Sequence, residues 1–361
     1  MARRQKFAPL LLLSAIILHV LLVIAFGIKA EWEDLLTLVP FPLWCFCGIF
    51  ITMVSLWGSY TWAGKLCFLV WFATLMQSDE LAPLAQGTRE SPNKAPILGE
   101  PTMSAKTLRF ISFNTFHASA EAAAEVVAWQ PDLVFFQESP WPNDLHPLAR
   151  QLYGEHALVA LREDCSILAR GKSLQLVNFA WPTMPTLSST SAMDVSSNGE
   201  RIRAVCARLI LLDGRPMDLI NVHLISAEKS WQIWRPEIWA RHASNNRDRR
   251  SQIGLILSSW QSAMVSLRAH AGPDVWPDAP CIFAGDMNTP AGNASLSQLS
   301  AAGFTDSYSV ARQASNTYPN RFPVQRIDQC WISGPARALR HGSVISTHSD
   351  HRMVVVDILY P

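Results

Sequence analysis

The chain has 361 residues and a formal net charge of +1. That balance exerts no global pull towards nucleic acid, no polybasic tail is visible, and the length allows one large domain or two modest ones. The 14 Trp are many for this length, and several fall in the N-terminal stretches, which favours contact with a membrane interface where the amphipathic indole is stabilised.

Residues 8–28, APLLLLSAIILHVLLVIAFGI, are apolar over the roughly 20 positions a helix needs to cross the hydrocarbon core. Two further apolar stretches follow at about 35–56 and 57–76, the last weakened by Gly64 and Lys65. A cleaved signal peptide is the rival for the first segment, but its apolar run is longer than the usual ~7–15 residues and more apolar stretches come directly after it. Three transmembrane helices are therefore expected, with residues 1–76 forming a membrane anchor. Arg3, Arg4 and Lys6 precede the first helix, so the positive-inside rule keeps the N-terminus in the cytoplasm. Three crossings then carry the rest of the chain to the extracytoplasmic face of a multi-pass cytoplasmic-membrane protein. Residues 77–105, rich in Pro, Gly, Ser and charge with no apolar period, read as a flexible linker.

Residues 106–361 are long enough to bury one substantial core. Strands are expected at 107–114 (TLRFISFN), 131–138 (PDLVFFQE), 164–170, 201–212, 216–224, from 281 (CIFAGDMNTP), at 325–333 and at 353–360. Asp213-Gly214 supplies a hairpin turn between two of them. Helices are expected at 118–130, with Ser119 as N-cap, and at 249–267, with a short one in NASLSQLSAAGF. Strands joined by short turns favour mixed sheets with outer helices over a purely parallel fold. The seven Cys show no CxxC or zinc spacing and read as small buried hydrophobes.

Strand after strand ends in a residue poor at stabilising a core: Asn114, Glu138, His223, Asp286 with Asn288, Asp328 within its strand, and Asp350-His351 before the last. Each has a bland reading alone: a turn cap, a solvated acid, a satisfied core histidine, an Asx-turn. Together they offer the parts of phosphate-ester cleavage. Glu138, Asn114 and Asp350 supply hard oxygens for a divalent ion. Asp286 can take the proton of an attacking water, with Asn288 holding that water or a phosphoryl oxygen. His351, oriented by Asp328, can contact the phosphoryl group, and Asn221 and His223 can add hydrogen bonds.

The segments FISFN, DLVFFQE, INVHL, FAGDMNTP, RIDQCWIS and SDHRMVVVD, in this order, resemble the endonuclease/exonuclease/phosphatase (DNase I-like) superfamily across residues 106–361. The resemblance implies a four-layered α/β sandwich, two mixed β-sheets flanked by helices. It implies Mg2+ or Mn2+ on Glu138 with Asn114 nearby and Asp350 on the metal side. It places Asp286 and Asn288 at the attacking water and scissile phosphate, pairs Asp328 with His351, and sets His223 on the phosphate. TFHA after Asn114 lacks the acid that some nucleases place there. The membrane anchor gives the chain a further likeness to a membrane branch linked with polyprenyl-pyrophosphate dephosphorylation.

Residues 225–250 combine Trp231, Trp234 and Trp239 with several Arg, Arg235 among them. Three roles fit: the membrane interface beside the site, a cover over the core, or stacking on single-stranded nucleic acid. The first is favoured, with Trp231, Trp234 and Arg235 as substrate-side residues. The expected function is that of a membrane-anchored, divalent-metal-dependent phosphoesterase acting on a lipid-linked phosphate ester or pyrophosphate. A membrane-tethered nuclease and a non-catalytic binding domain on the same fold are the alternatives. No protein partner can be inferred.

Overall fold

A computed structural model describes residues 2–28, 36, 39, 41–58, 61–76, 107–177, 202–226, 232, 234–271, 279–310 and 315–360. The expected linker at 77–105 and Trp231 lie outside the described residues. Among the described residues three N-terminal helices come first: α1 (Ala2–Ile28), α2 (Phe41–Gly58) and α3 (Trp62–Met76). Of the described residues, only those of α1 hold a stretch long and apolar enough to cross a membrane, Phe7–Ala25, with a mean hydropathy of 2.7. The expectation of three crossing-length helices is corrected here. At about 1.5 Å per residue, the apolar runs Phe41–Trp57 and Trp62–Met76 fall short of the ~30 Å hydrocarbon core.

The three helices pack on one another. Ser55 Oγ donates to the Ala8 carbonyl at 2.7 Å, and His19 Nε2 meets Thr74 Oγ1 at 2.9 Å. Gly48 leaves room for Trp71, since a Cβ there would sit 2.1 Å from the indole. Polar groups such as Thr52 and Ser55 are inside, while Leu13, Ile17, Phe50, Trp57, Leu69 and Phe72 face out.

The remaining described residues form two six-stranded mixed sheets. The first runs β11 (Arg337–Val344), β12 (Met353–Leu359), β1 (Thr107–Asn114), β2 (Leu133–Gln137), β4 (Cys165–Arg170), β3 (Ala157–Arg162). The second runs β5 (Ser173–Leu176), β6 (Arg203–Ile210), β7 (Pro216–His223), β8 (Cys281–Asp286), β10 (Asp328–Ser333), β9 (Thr305–Asp306). β1 and β2 are parallel, as are β7 and β8, and the other pairings are antiparallel.

Central strands are apolar on both faces because both are covered. Leu108, Phe110, Leu133, Phe135, Leu219, Ile282, Val354 and Val356 fill the space between the sheets. Ile111, Phe113, Val134 and Phe136 point the other way. They pack under α4 (Ala120–Ala124), the 3-10 turn Glu125–Trp129 and α5 (Pro142–Tyr153). Ile220, Val222 and Phe283 are covered by α6 (Pro236–Ala271) and α7 (Ser297–Ala301). The order helix, sheet, sheet, helix is the sandwich expected from the sequence. The helix expected at 118–130 tightens into 3-10 geometry after Ala124, and the one expected at 249–267 begins at Pro236.

The two-residue period of the strands places the polar residues. Leu108, Phe110, Ser112 and Asn114 alternate onto the inter-sheet face. Leu133, Phe135 and Gln137 do the same, as do Leu219, Asn221 and His223, Ile282, Ala284 and Asp286, and Asp328, Cys330 and Ile332. The inter-sheet core is therefore apolar along most of its length and turns polar at one edge.

Candidate active site

Strand register gathers the polar ends. His223 pairs with Asp286 across the parallel β7–β8 ladder, and Asp328 pairs with Asp286 across β8–β10. Gly285 permits this close approach: it has φ +141°, and a Cβ there would lie 1.9 Å from the Val222 carbonyl oxygen. Asn114 joins the other sheet to the group. Its Nδ2 donates to Asp286 Oδ2 at 3.1 Å and to Glu138 Oε1 at 3.3 Å. Glu138 follows β2 with φ +46°, and its Oε2 accepts from the His117 backbone N–H at 2.7 Å.

Asp286 lies between two imidazoles. His351 Nε2 and His223 Nε2 are each 3.9 Å from Asp286 Oδ2. The far nitrogen of each ring is held by a carboxylate: His351 Nδ1 by Asp328 Oδ2 at 2.8 Å, and His223 Nδ1 by Asp164 Oδ2 at 2.7 Å. Burial alone favours neutral His351, but the charges of Asp328 and Asp286, the Asp328 hydrogen bond and the Asp350 charge overcome it and raise its pKa to about 9. Burial also opposes charge on His223. The Asp164 hydrogen bond and the charges of Asp286 and Asp164 raise it nonetheless. For Asp164, burial favours the neutral acid, and the His223 hydrogen bond and charge, with Arg203, hold its carboxyl below the usual range. Burial and then the Asp328 charge push the Asp286 carboxyl up, against the pull of His351 and His223.

The loop before β12 is fixed independently. Glu125 Oε1 accepts from Thr347 N at 3.0 Å, Thr347 Oγ1 at 2.7 Å, His348 N at 3.1 Å and, with His348 protonated there, Nδ1 at 2.8 Å. Ser349 Oγ donates to the Asn114 carbonyl at 2.7 Å, and Asn320 N donates to the Asp350 carbonyl at 2.7 Å. The Tyr318 ring lies 4.9 Å from the His351 ring.

Of the residues singled out in the sequence, Asn114, Glu138, His223, Asp286, Asp328, Asp350 and His351 converge. Asn288 joins them as an orienting group: its backbone N–H donates to Asp286 Oδ1 at 2.8 Å and its Nδ2 to the Leu224 carbonyl at 2.9 Å. Asn221 is placed differently from the substrate contact expected of it. It is fully buried, its Nδ2 donates to the Phe136 and Ser166 carbonyls, and its Oδ1 accepts from Gln137 Nε2 at 2.6 Å, so it clamps the two sheets together. Trp234 and Arg235 stand exposed just ahead of α6. Asp164 went unread in the sequence. Its one signal is the position it shares with the other site residues, an acid at the mouth of a strand.

The donor set suits a hard divalent cation. Asp328 Oδ1 and Asp350 Oδ1 are buried carboxylate oxygens with no hydrogen-bond partner. Among the described residues, one ligand atom each of Asp286, Asp328 and His351 lie within 4.8 Å of one another. A His351 imidazolium bound to Asp328 is a poor ligand, so the oxygens this grouping offers a cation are those of Asp286 and Asp328.

The model of the Endonuclease/Exonuclease/phosphatase family matches residues 111–351, a span that takes in every motif from Asn114 to His351. No curated protein matches the chain. Among solved structures, mannosyl-6-phosphatase Bt3783 of Bacteroides thetaiotaomicron VPI-5482 is 18% identical, with 70% of this chain and 100% of that one covered and a TM-score of 0.49. A functionally unknown conserved protein of Enterococcus faecalis V583 is 18% identical, with the same coverage and a TM-score of 0.48. Truncated Caenorhabditis elegans TDP2 is 16% identical, with 70% and 98% covered and a TM-score of 0.44. The family match spans two thirds of the sequence and both sheets of the sandwich, and the chain belongs to the Endonuclease/Exonuclease/phosphatase family.

Proposed function

We propose that this chain is a membrane-anchored, divalent-metal-dependent phosphoesterase that hydrolyses a lipid-linked phosphate ester or pyrophosphate. The observation that carries the hydrolytic reading is Asp286 set between two Asp-held imidazoles, each Nε2 3.9 Å from the same carboxylate oxygen. A buried carboxylate with a raised pKa accepts the proton of an attacking water readily. The imidazolium of His351, kept charged by Asp328, stabilises negative charge on the phosphoryl oxygens, and His223 with Asp164 does the same from the other side. Asn288 keeps Asp286 in line through its backbone N–H. Mg2+ or Mn2+, held by Glu138, Asn114 and Asp350, would supply neutralisation of phosphoryl charge when bound.

The anchor reading draws on α1 and on its packing with α2 and α3, which buries Thr52 and Ser55 and leaves Leu13, Ile17, Phe50, Leu69 and Phe72 facing out. Arg3, Arg4 and Lys6 hold the N-terminus in the cytoplasm. One crossing by α1, with α2 and α3 remaining on the far side, puts the sandwich on the extracytoplasmic face. The test is a metal-dependent phosphate-release screen of the full chain in detergent, spanning polyprenyl pyrophosphates, phospholipids, inositol phosphates and oligonucleotides. Release from a lipid-linked substrate supports the proposal. Cleavage confined to oligonucleotides, or none, overturns it.

A further inference from the structure

The exposed aromatics of the sandwich are distributed unevenly. Among the described residues its exposed Phe and Trp are Phe116, Trp141, Trp234 and Phe322, at 38%, 72%, 74% and 78% exposure. All four lie at the edge where the inter-sheet core turns polar. Phe116 is two residues past Asn114 at the end of β1. Trp141 is three past Glu138 and caps α5. Phe322 stands at the tip of a small hairpin closed by the Tyr318–Gln325 bridge, whose Tyr318 ring lies on His351 and whose Asn320 is bonded to the Asp350 carbonyl. Trp234 precedes α6. Residues 245–252 of that helix already meet Ile225 and Ser226 beyond β7, so its first turns extend past the same edge.

We propose that this aromatic rim seats the mouth of the active site on a phospholipid bilayer, so that the substrate's phosphate enters without its apolar tail leaving the membrane. The inference rests on the reading of the chain as membrane-anchored. Four aromatics on four separate loops form no single groove for a peptide, whereas a bilayer interface receives dispersed Trp and Phe without shape complementarity. Exposed Arg321 beside Phe322 and exposed Arg235 beside Trp234 put guanidinium groups where lipid phosphates lie. The 30 residues from 77 to 106 span up to about 100 Å when extended, enough to let any face of the sandwich reach the membrane. The rim is what selects the face.

The test uses the full chain in vesicles of phosphatidylcholine and phosphatidylglycerol that contain a doxyl-labelled lipid. Cys47, the one exposed cysteine, is first removed as Cys47→Ala, the other cysteines being buried. Single fluorescent labels are placed through Phe116→Cys, Trp141→Cys and Phe322→Cys. Leu212→Cys, exposed on the opposite edge beside the β6–β7 turn, is the control. The proposal expects lipid quenching at 116, 141 and 322 and none at 212. Equal quenching at all four positions, or quenching by added single-stranded oligonucleotide in place of lipid, overturns it. In the triple variant Phe116→Ser, Trp141→Ser, Phe322→Ser, turnover of vesicle-borne polyprenyl pyrophosphate should fall about tenfold or more. Turnover of soluble p-nitrophenyl phosphate should be unchanged, and equal losses on both substrates overturn the rim's role. Lipid quenching in a chain that hydrolyses neither substrate would leave the rim standing and remove the proposed function.

Discussion

Replacing Asp328 with Asn tests the pairing that sets the charge of His351. Asp328 is fully buried and holds His351 Nδ1 at 2.8 Å. The Asn side chain has the same shape and keeps an oxygen acceptor for that N–H, so the packing is preserved while the negative charge is lost. The His351 pKa stands at about 9 against an ordinary 6.5. The difference corresponds to about 3 kcal/mol of preference for the imidazolium. With Asp328 neutral, the largest charge that offsets burial is lost, those of Asp286 and Asp350 remain, and the pKa drops. Each unit of drop removes about tenfold of the imidazolium left above pH 9, so a reaction that needs it slows there by roughly 10-fold. The assay is the pH profile of kcat/KM on a soluble phosphate ester: the alkaline limb near pH 9 moves to lower pH. Stability carries the same signature. The folded pKa exceeds the unfolded one, so the pair's contribution is whole below pH 6.5 and is lost as pH rises through about 9. An Asp328→Asn protein with wild-type rates and an unmoved alkaline limb would refute the role given to this pair.

Glu138→Gln should raise the Mg2+ concentration for half-maximal turnover by about tenfold or more while the saturated rate falls less, read by metal titration. Asp164→Asn should slow turnover by roughly 10- to 100-fold through His223, with kcat affected more than KM, and steady-state kinetics decides it. Gly285→Ala forces a Cβ against the Val222 carbonyl and should cost roughly 3 kcal/mol or more, visible as a lower unfolding temperature. His341 is fully buried, and desolvation first, then Arg326, lower its pKa to about 3. Between about pH 6.5 and 3 the unfolded chain binds a proton that the folded chain refuses, so stability falls by ~1.4 kcal/mol per unit as pH drops. His341→Leu should flatten that acid slope in thermal unfolding.

The sequence exposed the central strands and concealed the edges. β1 is apolar enough to be read at its observed bounds, Thr107–Asn114, and β12 within a residue. The strands that escaped notice, β3, β5, β9 and β11, are the four sheet edges. β11 reads RALRHGSV and β5 SLQL, because an edge strand is half-solvated and carries polar residues that blur a hydrophobic period. The site was legible where a polar residue interrupts the buried parity at a strand end, as at Asn114, His223 and Asp286. Asn221 follows the same pattern but spends its amide between the sheets, a distinction that depends on partners from two other strands, β2 and β4. Asp164, Glu125 and the Tyr318–Gln325 hairpin act through contacts distant in sequence, which no local period records. The N-terminal apolar stretches were visible, whereas their helical lengths depended on where α2 and α3 begin.

The claim that these strand ends form one hydrolytic centre is tested most directly by phosphoester turnover of the full chain with Mg2+ or Mn2+, after chelation, and in Asp286→Asn. The account predicts turnover that vanishes on chelation and drops by orders of magnitude in Asp286→Asn at unchanged unfolding temperature. Turnover that survives both chelation and the substitution would contradict it.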